Sequence, residues 1–144
     1  MTAETKFDVF LSFNSLDRIQ VGKISAELEA RKCRCFIDQS HLAPGQNWVT
    51  SLESALEKSQ SMALFVGQHG MGRWQQRERC WGLDRSTEDQ AFRVVPVLLP
   101  GCEQPPKGFL KQMHWIDLRD DPNDTTRLEQ LADAILVESE LASQ

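Results

Sequence analysis

Trp74, Glu78 and Trp81 are separated by four and three residues, the intervals at which side chains share one face of an α-helix. On a helix, this spacing places one carboxylate between two indoles. A model glutamate titrates at about 4.3, so Glu78 stays charged at neutral pH unless it is buried, and the chemistry open to it is that of a single fixed anion. A plainer reading makes both tryptophans core residues and Glu78 a solvated surface charge, because glutamate is almost never fully buried. Position favours the first reading. The apolar run MALFV at residues 62–66 ends at Gly67 and reads as a buried strand, with a helix beginning near Trp74. In open α/β sheets ligands bind beyond the carboxyl ends of the strands, close to the first turns of the helix that follows.

Other candidate chemistries are weaker. Residues 67–72 carry glycines as G-x-x-G-x-G, the reverse of the dinucleotide-binding fingerprint, and no G-x-x-x-x-G-K-[ST] is present, which disfavours hydride transfer. A G-x-S-x-G nucleophile elbow is also missing. His41, His69 and His114 stand singly without metal-ligand spacing, so no metal site is expected. Cys33, Cys35, Cys80 and Cys102 form no C-x-x-C pair and read as reduced structural thiols. With 16 Lys+Arg against 21 Asp+Glu, a net charge of −5 and no basic stripe, nucleic acid is not an expected partner. No apolar stretch approaches the ~20 residues that span a bilayer, and residues 1–6 lack the order of a signal peptide. A cytoplasmic protein with no membrane partner is expected. A length of 144 residues, 40% apolar and 26% charged, suits a single domain over 1–144 with its core at about 6–138.

The elements that must position Glu78 follow in order. FDVFLSF at residues 7–13 is aromatic and β-branched enough to be a strand buried on both faces. A first helix runs from Asp17 to about Lys32, burying Ile19/Val21, Ile24 and Leu28, with Asp17 and Gln20 in capping-box positions. CRCFID at 33–38 is a second strand, and residues 39–47 are a polar loop centred on Pro44 and Gly45. Trp48, Leu52 and Ala55/Leu56 mark a second helix ending near Lys58. The third strand covers 61–66, and residues 85–90 read as a polar connection after the next helix. Residues 93–99 are a fourth strand, with Pro96 awkward in its middle because proline cannot donate to a ladder. A turn-rich segment at 100–108 precedes a short fifth strand at 114–118. The last helix starts at Thr126, with Glu129 completing a capping box. Strands alternating with helices predict a flavodoxin-like, doubly wound, five-stranded parallel sheet flanked by helices.

FDVFLSF at 7–13, LAPGQNW at 42–48 with Leu52 and Ala55 following, W-x-x-x-E at 74–78, VPVLLPG at 95–101 and WIDL at 115–118 together resemble a Toll/interleukin-1 receptor (TIR) domain of the bacterial type, over about residues 6–138. Each motif alone is weak; their order and spacing are specific. The resemblance implies a five-stranded parallel sheet, a BB loop at residues 39–47 and self-association with other TIR domains as homo-oligomers or filaments. Many members cleave NAD⁺ between nicotinamide and ribose in defence or signalling, using a glutamate on the helix after the third strand, here Glu78. Other members are non-catalytic adaptors. The chain departs from many enzymatic members in carrying glycine-rich residues 67–72 where those have a hydroxyl- or cysteine-bearing residue.

The implied substrate is NAD⁺, with no further cofactor. Nicotinamide departs as a neutral molecule from a cationic pyridinium, so it needs no proton, and one carboxylate suffices where glycosidases use two. Glu78 would hold ribose hydroxyls and stabilise developing positive charge, and Trp74 would supply an apolar wall. By the same resemblance Phe13, Asn14, Ser15 and Asp17, together with Leu42, Gly45 and Trp48, would frame the dinucleotide. Asn14, Ser15 and Asp17 equally suit capping of the first helix, and Trp48, which starts an amphipathic stripe, suits the core better than a ligand wall. ADP-ribose, a cyclic isomer and a base-exchange product all remain open. Glu78 is expected to be accessible, so that its replacement by alanine costs little stability.

Overall fold

The computed structural model describes residues 6–37, 48–70, 73–89, 91–102 and 114–142, with backbone alone at 48–51, 73–74 and 137–142. Strands β1 (Val9–Ser12), β2 (Cys35–Ile37), β3 (Ser61–Val66), β4 (Arg93–Leu98) and β5 (Ile116–Asp117) form one sheet in the order β2-β1-β3-β4-β5. Every pairing in it is parallel. The crossovers hold helices α1 (Arg18–Ala30), α2 (Trp48–Glu57) and α3 (Arg73–Glu88), and α4 (Thr125–Ala142) follows β5. This is the expected flavodoxin-like sheet.

Side chains alternate across each strand, and both faces are buried. Val9, Leu11, Ala63, Phe65, Val95 and Val97 pack with α1 residues Val21, Ile24 and Leu28 and with α4 residues Leu128, Leu131 and Ile135. Phe10, Met62, Leu64 and Val94 face the other way, onto Leu52, Ala55 and Leu56 of α2 and Trp81 of α3. Ser12 has the parity of Phe10, so its hydroxyl is delivered to the α3 side of the sheet.

Pro96 sits inside a central strand without breaking it. Leu99 N donates to Val66 O on β3 at 2.8 Å, while Leu98 O accepts from Leu118 N on the β5 side at 2.8 Å. Alternate residues of β4 thus address opposite neighbours, and Pro96 shares the parity of Leu98. Its missing N–H points towards β5, whose pairing begins only at Val97 with Ile116.

Three boundaries shift from those expected. The stretch 85–88 is not a loop but the last turn of α3. Arg85 holds it there, donating to Leu56 O and lying over the Phe92 ring at 4.2 Å. Asn14, not Asp17, caps the entry to the first helix. Its Oδ1 accepts from Leu16 N at 3.0 Å, opening a 3₁₀ turn (Ser15–Asp17), whereas the Asp17 side chain makes no capping bond. The last helix is capped by Asp124, whose Oδ1 accepts from Arg127 N at 3.2 Å, so it begins ahead of Thr126.

Cys33 and Cys35 are buried and free. Burial pushes their thiols up to about 11 and about 12, so both are protonated and inert at neutral pH, as structural thiols are.

Candidate active site

The strand order reverses direction between β1 and β3, and in such sheets the crevice at that reversal is where ligands bind. Ser12 ends β1, and α3 follows β3. Across the reversal Ser12 Oγ donates to Glu78 Oε1 at 2.9 Å. One turn earlier on α3, Gln75 Nε2 donates to Ser12 O at 3.1 Å and to Phe65 O of β3. The start of α3 is thereby tied to the carboxyl ends of both central strands, and the Glu78 carboxylate is held at a defined place above them.

Glu78 is not the accessible residue expected. It is 2% exposed, because the helix face that carries it is turned onto the end of β1, where the small Ser12 side chain leaves room for a carboxylate and offers it a donor. Trp81, on the same face, is half-buried in the α2/α3 core.

The loop after β1 is bound to the loop after β3. Asn14 Nδ2 donates to His69 O and Gly70 O, each at 3.4 Å. Asn14 is buried, Phe13 is half-buried and Ser15 is exposed. Asp17 is buried against Gly67, where an added Cβ would come within 3.1 Å of its Oδ2. That oxygen has no hydrogen-bond partner among the described residues. Burial raises the Asp17 carboxyl above its ordinary range, and positive charge on the nearby His69 partly offsets the shift.

The structure therefore gathers Phe13, Asn14, Ser15, Asp17 and Glu78 at one end of the sheet, with Asp17 against Gly67 at the end of β3. Leu42 and Gly45 lie outside the described residues. Trp48 opens α2 and Trp74 lies in the first turn of α3, but their side chains lie outside the description too. Sequence reasoning missed Ser12 and Gln75. A single hydroxyl in an otherwise apolar strand, with the parity of Phe10, was the available signal for Ser12. Gln75 is 1% exposed, one residue from Trp74, and only its bonds to two strand ends distinguish it.

A family model for the TIR domain matches residues 9–132. No curated protein sequence matches the chain. Among solved structures, the TIR domain of the Toll-related receptor TRR-2 from Hydra magnipapillata is similar with a TM-score of 0.73 and 20% identity, covering 90% of this chain and 98% of that one. A TIR-STING receptor from C. gigas, in complex with 2′,3′-cGAMP, matches with a TM-score of 0.69 and 21% identity over 92% of this chain, which spans 41% of that one. The TIR domains of the activated Roq1 resistosome, which directly recognises the pathogen effector XopQ, match with a TM-score of 0.68 and 20% identity, covering 90% and 99% of the two chains. At these identities the structural likeness is one of fold. Among the described residues no helix is long and apolar enough to cross a membrane.

Proposed function

Because the chain belongs to the TIR-domain family, we propose that it is an NAD⁺ nucleosidase that breaks the bond between nicotinamide and ribose, with Glu78 as the catalytic carboxylate. The observation that carries this reading is the Ser12–Glu78 hydrogen bond at the β1/β3 reversal. It fixes one carboxylate at the place in this sheet type where ligands bind.

The chemistry needs little else. The C1′–N bond breaks with its electron pair moving onto the pyridinium nitrogen, so nicotinamide leaves neutral and the ribose gains oxocarbenium character. Glu78 holds a ribose hydroxyl while Ser12 Oγ keeps the carboxylate oriented, and its negative charge stabilises the developing cation more than the ground state. Water then adds at C1′ and loses a proton, giving ADP-ribose; an adenine nitrogen in its place would give a cyclic isomer, and another pyridine base an exchange product. Phe13, Asn14 and Ser15 would frame the substrate beside Leu42 and Gly45, with Trp48 and Trp74 as apolar walls. Association with further copies of the chain completes the proposal, and the appearance of a related TIR domain within a resistosome supports it.

Mass spectrometry of NAD⁺ incubated with the purified chain over a wide range of protein concentration tests this. Nicotinamide release per molecule should rise with concentration. Glu78→Ala should lower it by about 10²–10³-fold, the usual cost of removing a preorganised group at developing charge. One observation favours a second reading, a non-catalytic self-associating adaptor: Glu78 is 2% exposed. If the assembled chain releases no nicotinamide, that reading replaces the first.

A further inference from the structure

A cavity of about 520 Å³ lies between the C-terminal halves of α2 and α3, and Ser12, Gln75 and Glu78 are not among its walls. The half-buried Trp81 and the buried Leu56 supply its apolar surface. Five exposed carboxylates stand around them: Glu53 and Glu57 from α2, Asp84 and Glu88 from α3, and Asp89 just beyond it. Arg85 is the only cation among the described lining residues, and it is committed inward, donating to Leu56 O and lying over the Phe92 ring. Its approach to Asp89 is a loose 4.0 Å.

This arrangement breaks three local rules at one place. Glu53 and Glu57, and again Asp84 and Glu88, are like charges four apart on a helix, which repel. Both pairs lie in the closing turns of helices that end at Glu57 and Glu88, where the helix dipole favours cations. The two acidic helix ends also line one and the same cavity. Among the described residues Glu53, Glu57, Asp84 and Glu88 form no ion pair within 4 Å. Neither core packing nor NAD⁺ cleavage accounts for this concentration, and local rules given up together mark a functional site. A cation in the groove would restore the balance.

The geometry restricts which cation. Among the described residues no three acidic, histidine or cysteine side chains converge to hold a metal ion, so the counter-charge is extended and not a point. Exposed ion pairs are individually weak, so several ammonium groups must act at once. Trp81 and Leu56, on the same walls as the carboxylates, suit methylene chains that lie on apolar surface while their charged ends stay at the rim. An indole face also attracts an ammonium beside it. We propose that this groove binds a linear aliphatic polyamine of the spermidine class, with ammonium groups on the α2 and α3 carboxylates and methylene runs over Trp81 and Leu56. The volume falls within the roughly 300–1,000 Å³ typical of ligand sites. The site stands whether or not the chain cleaves NAD⁺, since it uses none of Ser12, Gln75 and Glu78.

Isothermal titration and thermal melting of the full chain with spermidine at low ionic strength test the assignment, with putrescine and Mg²⁺ as shorter and compact cations. Spermidine should bind saturably at one site and raise the melting temperature with concentration, more weakly as salt is added. Putrescine, one ammonium shorter, should bind about threefold or more weakly, and Mg²⁺ at equal concentration should not displace spermidine. Glu53→Gln with Glu57→Gln, or Asp84→Asn with Glu88→Gln, should weaken spermidine about fivefold or more, and Trp81→Leu about threefold. Both pairs should also raise the melting temperature of the ligand-free chain, because repulsion is removed, so that lost binding is not lost folding. Glu29→Gln with Glu129→Gln makes the same charge change at exposed positions outside the groove and should bind spermidine unchanged. The assignment is overturned if spermidine does not bind saturably at millimolar concentration, if neither groove pair weakens it, if the outside pair weakens it as much, or if Mg²⁺ displaces it at equal concentration.

Discussion

Ser12 Oγ donates to Glu78 Oε1 at 2.9 Å, so a hydroxyl at the end of one central strand orients a carboxylate on the helix that follows the neighbouring strand. Both groups are buried. A buried hydrogen bond of this kind is worth about 0.5–1.5 kcal/mol and restricts the rotamers of Glu78.

Ser12→Ala should therefore destabilise the fold by about 1–3 kcal/mol. On the nucleosidase reading it should also lower kcat about tenfold with little change in KM, because orientation of Glu78 matters most in the transition state. Urea unfolding and steady-state kinetics check the two effects separately. A stability loss with unchanged kinetics would reduce Ser12 to a purely structural role.

Glu78 substitutions should follow the acceptor. Glu78→Gln keeps an oxygen for the Ser12 hydroxyl, whereas Glu78→Ala leaves that hydroxyl buried beside a void, so alanine should be the less stable variant by about 1 kcal/mol or more. Denaturant midpoints at equal m-value decide it. Equal midpoints for the two variants would mean that the Ser12 bond contributes nothing to stability.

Gly67→Ala probes the contact between the two loops. The new Cβ would lie 3.1 Å from Asp17 Oδ2 and 3.2 Å from Oδ1, closer than carbon and oxygen pack without displacement, and overpacking of this kind costs about 1–3 kcal/mol. Asp17→Ala removes the obstacle. A double-mutant cycle should then show coupling above about 0.5 kcal/mol, with the pair less damaging than the sum of its parts; additive effects would show that the loops relax independently.

Asp17 should leave a signature in the pH dependence of stability. Burial raises its carboxyl above the ordinary 3.8, so the folded chain binds that proton more tightly than the unfolded one. The stability it contributes is complete below the unfolded value and is lost as pH rises through the folded value. Asp17→Asn should accordingly be the more stable protein at pH 7, by a margin that shrinks towards pH 4. Melting curves across that range check the sign, and a margin that grows on acidification would contradict the shift.

The fold was legible because its signals are local and repeated. Strands buried on both faces read as continuous apolar runs, and helices between them carry an apolar stripe, so β1 and α1 could be placed from residues 7–13 and from Val21, Ile24 and Leu28 within a few residues of their bounds. W-x-x-x-E could place Glu78 on a helix after a strand for the same reason, since helical spacing is a property of the segment alone. Tertiary structure decided what no segment contains. That α3 turns Glu78 inward depends on Ser12, 66 positions away in sequence, and on Gln75 reaching two strand ends at once. Pro96 was tolerable only because β5 is short and pairs beyond it. Asp17 looked like a helix cap by type, but Asn14 took that role and Gly67 closed over the carboxylate. Burial and hydrogen bonding are set by which elements meet, and the sheet order that brings β1 beside β3 is a long-range pairing to which local propensity is blind.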